Sequence, residues 1–343
     1  MQSEILIKTL LAFVIALATA IAVTPVIKKL APVIGAVDIP KDERRMHDKP
    51  MPLCGGIAIF LGFSVSSFIF ADLSSEFWGI WLGALFIIII GILDDIFSLN
   101  AYIKLAGQIV GAAIPTIFGL NIEYINIFGN QIHLGVIGIP LTIIWIVALT
   151  NAFNLIDGLD GLSCGVSSVC SVAFFSVGII SQNSSLMLIS AVLFGSTLGF
   201  LPYNFNPAKI FMGDTGAMFL GYIFASAAVL GVYQTPTNIS MAVPFIICGL
   251  PIFDTSFAFV RRIISGKSPF SADRGHLHHK LIDRGLTQKQ TVLFLYTVSI
   301  LLSIFAIIIC LSQPLARIII TAAVIIAMIL LLILAGKRQE KSE

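Results

Sequence analysis

Acidic side chains that could handle a cation or a phosphate stand at the ends of apolar segments in three separate places. Asp94 and Asp95 close the run GILDD, Asp157 and Asp160 lie in NLIDGLDG, and Asp214 opens GDTGAMFLG. Charged groups at membrane depth are costly, so such residues are functional candidates by default. A helix cap or a residue at the lipid interface is the structural alternative for each one taken singly.

The adjacent pair Asp94 and Asp95 needs a partner for its charge, because two ionised carboxylates at short separation repel each other. Oxygen ligands favour Mg²⁺, which commonly takes one or two carboxylates and completes its shell with water and phosphate oxygens; Mn²⁺ accepts similar ligands. Asp214, at the mouth of an apolar helix where N–H groups suit a phosphate, is the third candidate ligand. Lys104 adds a cation suited to phosphate. We therefore predict a magnesium site that uses Asp94, Asp95 and Asp214.

Asn154, Asp157 and Asp160 repeat every three residues. A helical turn would place all three on one face, and Gly158 and Gly161 would let a ligand approach closely. The alternative interpretation is a polar turn between two helices.

A fourth cluster, SADRGHLHHKLIDRG, contains Arg274, His276, His278 and His279. A zinc site is an obvious alternative for these histidines, but no cysteine follows at the spacing of a zinc site and the HExxH motif is absent. Imidazoles beside an arginine suit a pyrophosphate and the charge that develops on it. A plain basic loop at the membrane surface is the alternative.

Composition places these groups in a membrane protein. Hydrophobic residues make up 57% of the 343 positions and charged residues 11%, against about 45–50% and about 25% in a soluble domain. The apolar runs are long enough to cross a bilayer as helices. They predict an all-α polytopic membrane protein that forms one domain over 1–343. We expect no nucleic-acid partner. The predicted crossings number eleven, near 4–26, 53–71, 77–93, 101–119, 136–153, 162–180, 185–202, 213–232, 240–262, 291–311 and 315–335.

The basic residues predict the orientation. With eleven crossings, all of the 20 lysines and arginines except Lys8 and Arg317 fall on one side of the membrane. An excess of basic residues marks the cytosolic side. The N-terminus is therefore expected outside and the C-terminus inside, with every candidate cluster cytosolic. In the connection on the outer side of the membrane, residues 122–134, apolar and polar residues alternate on both sides of Gly129-Asn130. This pattern predicts a small β-hairpin.

The segment near 240–262 is interrupted by Pro244, Gly249 and Pro251. Such breaks at membrane depth usually line cavities, so we expect a lateral groove there. Asp254 lies in this segment, where stabilising the break and taking part directly are both open roles.

Together these segments resemble the polyprenyl-phosphate N-acetylhexosamine-1-phosphate transferase superfamily, glycosyltransferase family 4, and within it the WecA/TagO type more than the MraY type. The likeness covers nearly the whole chain. It rests on DKPMPLCGG, the DD pair, NxxDGLDG, FMGDTGAMFLGY and PFSADRGHLHH, in this order.

The resemblance implies a role for each matching residue. Asp214 matches the Mg²⁺-binding Asp, and Asp94 and Asp95 match a pair assigned to metal and carrier-phosphate activation. For Asp94, taking the final proton of the carrier phosphate is the alternative role. The other matches are Asn154, Asp157 and Asp160 (nucleotide-sugar cleft), Phe211 (stacking on uracil), Asn204 (a polar contact nearby), His276, His278 and His279 (catalytic histidine loop) and, approximately, Lys49 (a family lysine).

The resemblance also implies an activity. It is the transfer of N-acetylhexosamine 1-phosphate, with GlcNAc favoured, from a UDP-sugar to undecaprenyl phosphate, as the first membrane step of surface-polysaccharide synthesis. A bacterial cell membrane is the expected location, and the likeness is compatible with a homodimer.

Three other activities are weighed against it. A phospho-MurNAc-pentapeptide transferase of MraY type belongs to the same superfamily. A CDP-alcohol phosphotransferase needs DGxxAR, and no AR follows Asp157-Gly158. An ion-coupled transporter would place acids near the bilayer midplane, where only Asp254 is expected.

Overall fold

A computed structural model describes residues 2–39, 50–127, 130–234, 242–266 and 275–336. Within these ranges the chain is almost entirely helical. The helices are α1 (Gln2–Leu30), α2 (Gly56–Phe70), α3 (Ser75–Phe97), α4 (Ala101–Ile117), α5 (Gly138–Ile156), α6 (Leu162–Ser181), α7 (Ser184–Asn204), α8 (Gly213–Gln234), α9 (Ala242–Ile247), α10 (Gly249–Ile264), α11 (Leu277–Asp283), α12 (Gln288–Leu311) and α13 (Pro314–Gly336).

Among the described helices, eight are long and apolar enough to cross a membrane: α1, α3, α5, α6, α7, α8, α12 and α13. The apolar helices α2 and α4 are shorter. Each predicted crossing coincides with one helix or, for 240–262, with the pair α9 and α10. The prediction of an all-α, multi-pass membrane protein is confirmed, whereas the count of eleven crossings and the orientation stay predictions.

The predicted hairpin is present as two paired strands. Strands β3 (Tyr124–Ile127) and β4 (Asn130–His133) are antiparallel, with Tyr124 opposite His133. The tip, 128–129, lies outside the described residues. A second, shorter pair joins β1 (Val37–Asp38) to β2 (Met51–Pro52) and was not predicted.

Helix α8 forms the centre of the bundle. It packs against α2, α3 and α5, and Phe219, Tyr222 and Phe224 on it are fully buried. Close approach depends on glycines: a Cβ on Gly91 of α3 would meet the Thr215 backbone, and one on Gly221 would meet the backbone of α5. The C-terminal ends of α3 and α5 are thereby held beside the N-terminal end of α8.

The predicted break near 240–262 is also present. Helix α9 ends at Ile247 and α10 begins at Gly249, with Cys248 between them. Helix α11 was not predicted, since its seven residues are too short for a membrane crossing and the histidine cluster around it contains few apolar residues.

Candidate functional site

The carboxylates from the three separated segments line one polar cavity of about 540 Å³. They lie where α3 and α5 end and α8 begins. The predicted residues on its wall are Asp94, Asp95, Asp157, Asp160, Asn204, Phe211, Asp214 and His279. Asp38 and Gln288 also line it, and neither was a candidate. Lys49 and Arg274 lie outside the described residues.

Asp95 caps the N-terminal end of α8 from the neighbouring helix α3. Its Oδ1 accepts the Asp214 N–H at 2.8 Å, and its Oδ2 accepts the Thr215 hydroxyl at 2.6 Å. The first N–H groups of a helix have no partner within it, and a negative charge at that end is favourable. Asp95 therefore fixes the position from which Asp214 projects.

Lys104 neutralises the carboxylates that meet at the centre of the site. Its Nζ donates to Asp94 Oδ2 at 2.8 Å, to Asn154 Oδ1 at 3.2 Å and to Asp214 Oδ2. Asn154 Nδ2 donates in turn to Asp214 Oδ1 at 2.9 Å. An ammonium group thus lies where the oxygens of Asp94 and Asp214 converge, whereas the repulsion that predicted a metal was that between Asp94 and Asp95.

The same oxygens fit a magnesium ion in their chemistry. Asp94 and Asp214 offer two carboxylates to one cation position, and hard oxygen ligands of this number are what Mg²⁺ uses beside water and phosphate. No three His, Cys, Asp or Glu side chains among the described residues form a metal-binding group. Asp95, whose oxygens are taken by α8, stays a predicted ligand only.

The expectation that Asn154, Asp157 and Asp160 share one helical face is wrong. Helix α5 ends at Ile156, Asp157 is its C-terminal cap, and the chain then turns at Gly161 with a φ of +77°. The polar-turn alternative therefore describes this backbone correctly. The turn nevertheless directs both carboxylates to the polar cavity, while Asn154 joins the Lys104 network.

The two turn carboxylates have different surroundings. Burial, and then the charges of Asp214, Asp95 and Asp160, raise the pKa of Asp157 well above its usual range. Asp160 Oδ2 accepts from Asn206 Nδ2 and from the Ala208 N–H, both at 3.0 Å. Asp160 thus holds the loop that leads to Phe211.

The PMPLCGG stretch supports the Asp214 loop through its backbone. The Phe211 N–H donates to the Pro52 carbonyl at 2.9 Å, the Gly55 N–H donates to the Phe211 carbonyl at 3.0 Å, and the Gly56 N–H donates to Met212 at 2.9 Å. A Cβ on Gly56 would meet the backbone of Gly216. These contacts give the glycine pair a structural reason that the sequence alone did not supply.

Asn204 lines the same cavity as Phe211 and is 3% exposed. Its Nδ2 donates to the Ile210 carbonyl at 3.1 Å, while Oδ1 is buried and has no hydrogen-bond partner.

The three histidines have three different surroundings. His279 lines the polar cavity. His278 is buried against Gly158, and neither of its ring nitrogens has a hydrogen-bond partner. Burial, and then the neighbouring His279, lower the pKa of His278 to about 3, so it is neutral near pH 7. His276 instead pairs with Asp254 at 2.8 Å and lines a second cavity.

That second cavity is an apolar groove of about 840 Å³ between α4, α5, α9 and α10. Its polar lining includes Lys104, Asn154, Arg262 and His276. Lys104 and Asn154 also bond to the carboxylates of the polar cavity, so this pair lies between the two cavities. Arg262 is a further candidate binding residue that was not predicted from the sequence. Its position at the end of the interrupted segment 240–262 could have indicated it.

Fold and site define the class of multi-pass helical membrane proteins that build a carboxylate-lined cavity beside an apolar groove. The chain belongs to glycosyl transferase family 4, whose model matches residues 77–232. A Bacillus subtilis protein named probable undecaprenyl-phosphate N-acetylglucosaminyl 1-phosphate transferase is 44% identical over 90% of this chain and 87% of its own length.

Two more distant relatives widen the range of names. A decaprenyl-phosphate N-acetylglucosaminephosphotransferase of Mycobacterium leprae is 35% identical over 80% of this chain and 76% of its own. A phospho-N-acetylmuramoyl-pentapeptide-transferase of Thermoanaerobacter is 31% identical over 89% of this chain and 98% of its own length.

Proposed function

We propose that the protein transfers N-acetylglucosamine 1-phosphate from UDP-GlcNAc to undecaprenyl phosphate, releasing UMP. The observation that carries the proposal is the position of Lys104 and Asn154, which line the apolar groove and bond to the carboxylates of the polar cavity. A water-soluble nucleotide and a long-chain lipid phosphate must meet at such a place.

The polar cavity suits the nucleotide sugar. Phe211 supplies an aromatic ring for the base, and Asn204 and Asp157 supply polar groups on the same cavity wall. His279, on the same wall, suits the pyrophosphate. The cavity volume of about 540 Å³ is within the range of small-molecule sites.

The apolar groove suits the carrier. Leu141, Ile144, Trp145 and Phe245 are among the side chains that would cover an isoprenoid tail, and Arg262 and Lys104 would attract its phosphate. This assignment gives a physical reason for embedding a phosphotransferase in lipid.

Repulsion between anions is the main barrier to this reaction, since phosphate monoesters are largely ionised near pH 7. Positioning and charge neutralisation are therefore the expected sources of catalysis. Asp94 and Asp214 would hold Mg²⁺, which supplies charge neutralisation to phosphate oxygens when bound. Asn154 and Asp95 keep Asp214 in place, and Lys104 balances the carboxylates on the groove side.

The asymmetry of basic residues supports a cytosolic site in a bacterial cell membrane, with the N-terminus outside and the hairpin external. UDP-sugars are cytosolic metabolites, which agrees with that side. A homodimer stays a prediction.

GlcNAc is proposed as the sugar because two of the three relatives have N-acetylglucosamine in their names and are 44% and 35% identical to this chain. The muramoyl-pentapeptide transferase is 31% identical. The pentapeptide activity is the second candidate. Offering both UDP-sugars with undecaprenyl phosphate separates the two.

Purified protein in detergent is the test. We expect UMP release from UDP-GlcNAc only when both undecaprenyl phosphate and Mg²⁺ are supplied. Release from the pentapeptide donor alone would select the second candidate, and no release from either would overturn the transferase proposal.

A further inference from the structure

Gln288, the first residue of α12, lines the polar cavity and is not used by the transfer chemistry. A second glutamine, Gln290, has a local task, since it forms a capping box with Thr287 at the N-terminal end of the helix. The side chain of Gln288 takes no part in that box. Its Oε1 atom instead accepts a hydrogen bond from Asn206 Nδ2 at 2.8 Å. Gln288 therefore joins α12 to the loop that leads to Phe211.

The orientation of the Gln288 amide follows from its neighbours. Asp160 Oδ2 accepts hydrogen bonds from Asn206 Nδ2 and from the Ala208 N–H, both at 3.0 Å. An ionised carboxylate can only accept, so the NH₂ group of Asn206 is the one that lies between Asp160 and Gln288. The atom of Gln288 that faces this NH₂ group must then be its oxygen. The NH₂ group of Gln288 is left over, and it makes no hydrogen bond to another described residue.

An amide donor has a distinct value on this wall. Most other polar side chains of the polar cavity are carboxylates, namely Asp38, Asp94, Asp95, Asp157, Asp160 and Asp214. Asn204 adds a buried side-chain oxygen that has no hydrogen-bond partner. In their ionised form the carboxylates accept hydrogen bonds or hold a cation, and they cannot satisfy a carbonyl oxygen. A ligand carbonyl in this cavity needs a donor such as the Gln288 NH₂ group.

Uracil is the part of the proposed donor substrate that matches these two amides. Its base-pairing edge presents the N3–H donor beside the O4 acceptor, whereas cytosine presents an acceptor at N3 beside a 4-amino donor. Asn204 Oδ1 suits the N3–H, and the Gln288 NH₂ group suits O4. Gln288 is also bonded to Asn206, close in sequence to Phe211, whose ring is proposed for the base. Stacking combined with hydrogen bonds to the edge is a common way to recognise a base.

We propose that Gln288 is a specificity-determining residue that donates through Nε2 to O4 of the uracil base, and so selects uridine nucleotides over cytidine nucleotides. This inference rests on the proposed function, which supplies the nucleotide. Asp160 and Asn206 act through Gln288 as positioning residues, because they keep its oxygen toward the loop. A cytosine would place its amino group against the Gln288 NH₂ group, and two donors that face each other leave both unpaired.

Gln288→Glu tests the donor. One carboxylate oxygen can keep the bond from Asn206, and the other replaces the NH₂ group with an acceptor, which suits the amino group of cytosine. A negative charge in the first turn of a helix is favourable, so the variant is expected to fold. The added charge weakens the binding of UMP and CMP alike, because both carry the same phosphate. The ratio of their dissociation constants therefore isolates the contact with the base.

Calorimetric titration of UMP and of CMP into detergent-purified protein with Mg²⁺ measures this ratio. We expect the wild type to bind UMP at least about tenfold more tightly than CMP. The ratio of the CMP to the UMP dissociation constant should fall about 10–100-fold in Gln288→Glu, the usual range for exchanging one base contact. A purely structural role of Gln288 would weaken both nucleotides and leave the ratio unchanged.

Two further variants complete the comparison. Gln288→Met removes the donor without adding a charge, so it should weaken UMP about tenfold and change CMP less than about threefold. Gln290→Glu makes the same chemical change as Gln288→Glu on the same helical turn. Glutamate also completes a capping box, so this control should keep the wild-type ratio and the wild-type melting midpoint.

The outcomes separate this inference from the proposed function. A wild-type protein that releases no UMP from UDP-GlcNAc would overturn the function. If the wild type is active, a Gln288→Glu ratio within about threefold of the wild-type ratio overturns the assignment of Gln288 to the base, and so does equal binding of UMP and CMP by the wild type. A higher KM for UDP-GlcNAc in Gln288→Met with unchanged binding of UMP overturns it as well, because the donor would then face the sugar.

Discussion

Asp95 accepts a 2.6 Å hydrogen bond from the Thr215 hydroxyl, and this contact joins the C-terminal end of α3 to the N-terminal end of α8. Thr215→Val keeps the shape of the side chain and removes the donor. We expect a loss of about 1 kcal/mol in the free energy of unfolding, the usual value of one buried hydrogen bond, together with lower turnover because Asp214 is less well placed.

Thermal unfolding in detergent and UMP release measure the two effects. Thr297→Val is the matched control, since its hydroxyl bonds to the Leu293 carbonyl on the exposed face of α12. Equal effects of the two substitutions would contradict the capping role of Asp95.

Asp214→Asn, like Asp214→Ala, removes the carboxylate at the centre of the site. We expect turnover to fall about 10³-fold or more, because charge neutralisation of the pyrophosphate is lost, while the protein stays folded. UMP release and the melting midpoint report the two quantities. Asp72→Asn, at an 87% exposed carboxylate, should leave both unchanged, and full activity of the Asp214 variants would remove the metal assignment.

Lys104→Met empties the position at which Asp94 and Asp214 share an ammonium group. The two carboxylates then repel each other until another cation binds. We expect Mg²⁺ to raise the melting midpoint of this variant by several degrees more than that of the wild type, because binding to the folded state stabilises it.

Melting curves in EDTA and in saturating Mg²⁺ give the comparison. Lys8→Met removes a lysine whose ion pair with Asp72 is exposed and 3.8 Å long, so its response should equal that of the wild type. An equal response of Lys104→Met would argue against a shared cation position.

His278 makes the folded protein sensitive to acid. Its pKa is about 3 when folded and about 6.5 when unfolded, so the unfolded chain takes up a proton first. Stability from this group is complete above about pH 6.5 and falls toward pH 3, by about 2 kcal/mol at pH 5.

His278→Gln should therefore lose less stability than the wild type between about pH 8 and about pH 5. The melting midpoints at the two pH values supply the measurement. His133→Gln, at an exposed position in the hairpin, should behave as the wild type, and an unchanged acid response of His278→Gln would contradict the buried neutral imidazole.

Gly56→Ala would place a methyl group against the backbone of Gly216, which cannot move aside as a side chain can. We expect a loss of about 1–3 kcal/mol, as for other overpacked sites, and reduced turnover through the displaced Asp214 loop. In Gly107→Ala the nearest atom is the flexible end of Ile90, at 3.0 Å, and the gain in helix propensity offsets the contact. Chemical unfolding gives the free energy of unfolding of both variants. A loss in Gly56→Ala that is no larger than that in Gly107→Ala would contradict the tight contact at Gly56.

Which helices exist could be predicted because that depends on local sequence. Runs of about 20 apolar residues have few alternatives to a membrane-spanning helix, and 213–232 was placed within two residues of the end of α8. The break at Cys248 followed from Pro244 and Gly249. The hairpin followed from alternation around Gly129-Asn130, and its strands pair as expected.

Roles that depend on partners distant in sequence could not be predicted. The sequence treated Asp94 and Asp95 alike, yet Lys104 pairs with the first and the N-terminal end of α8 takes the second. The three-residue spacing of Asn154, Asp157 and Asp160 indicated a helical face, but α5 ends too early for it.

The sequence by itself determined that this protein is helical, embedded in lipid and supplied with carboxylates and imidazoles at its helix ends, because hydropathy and residue type act locally. Only the tertiary structure decided which of these groups line the polar cavity and which line the groove. His279 and His276 are three residues apart and line different cavities. Asp254 on α10 holds His276, and a contact between residues so far apart in sequence cannot be predicted from a local pattern.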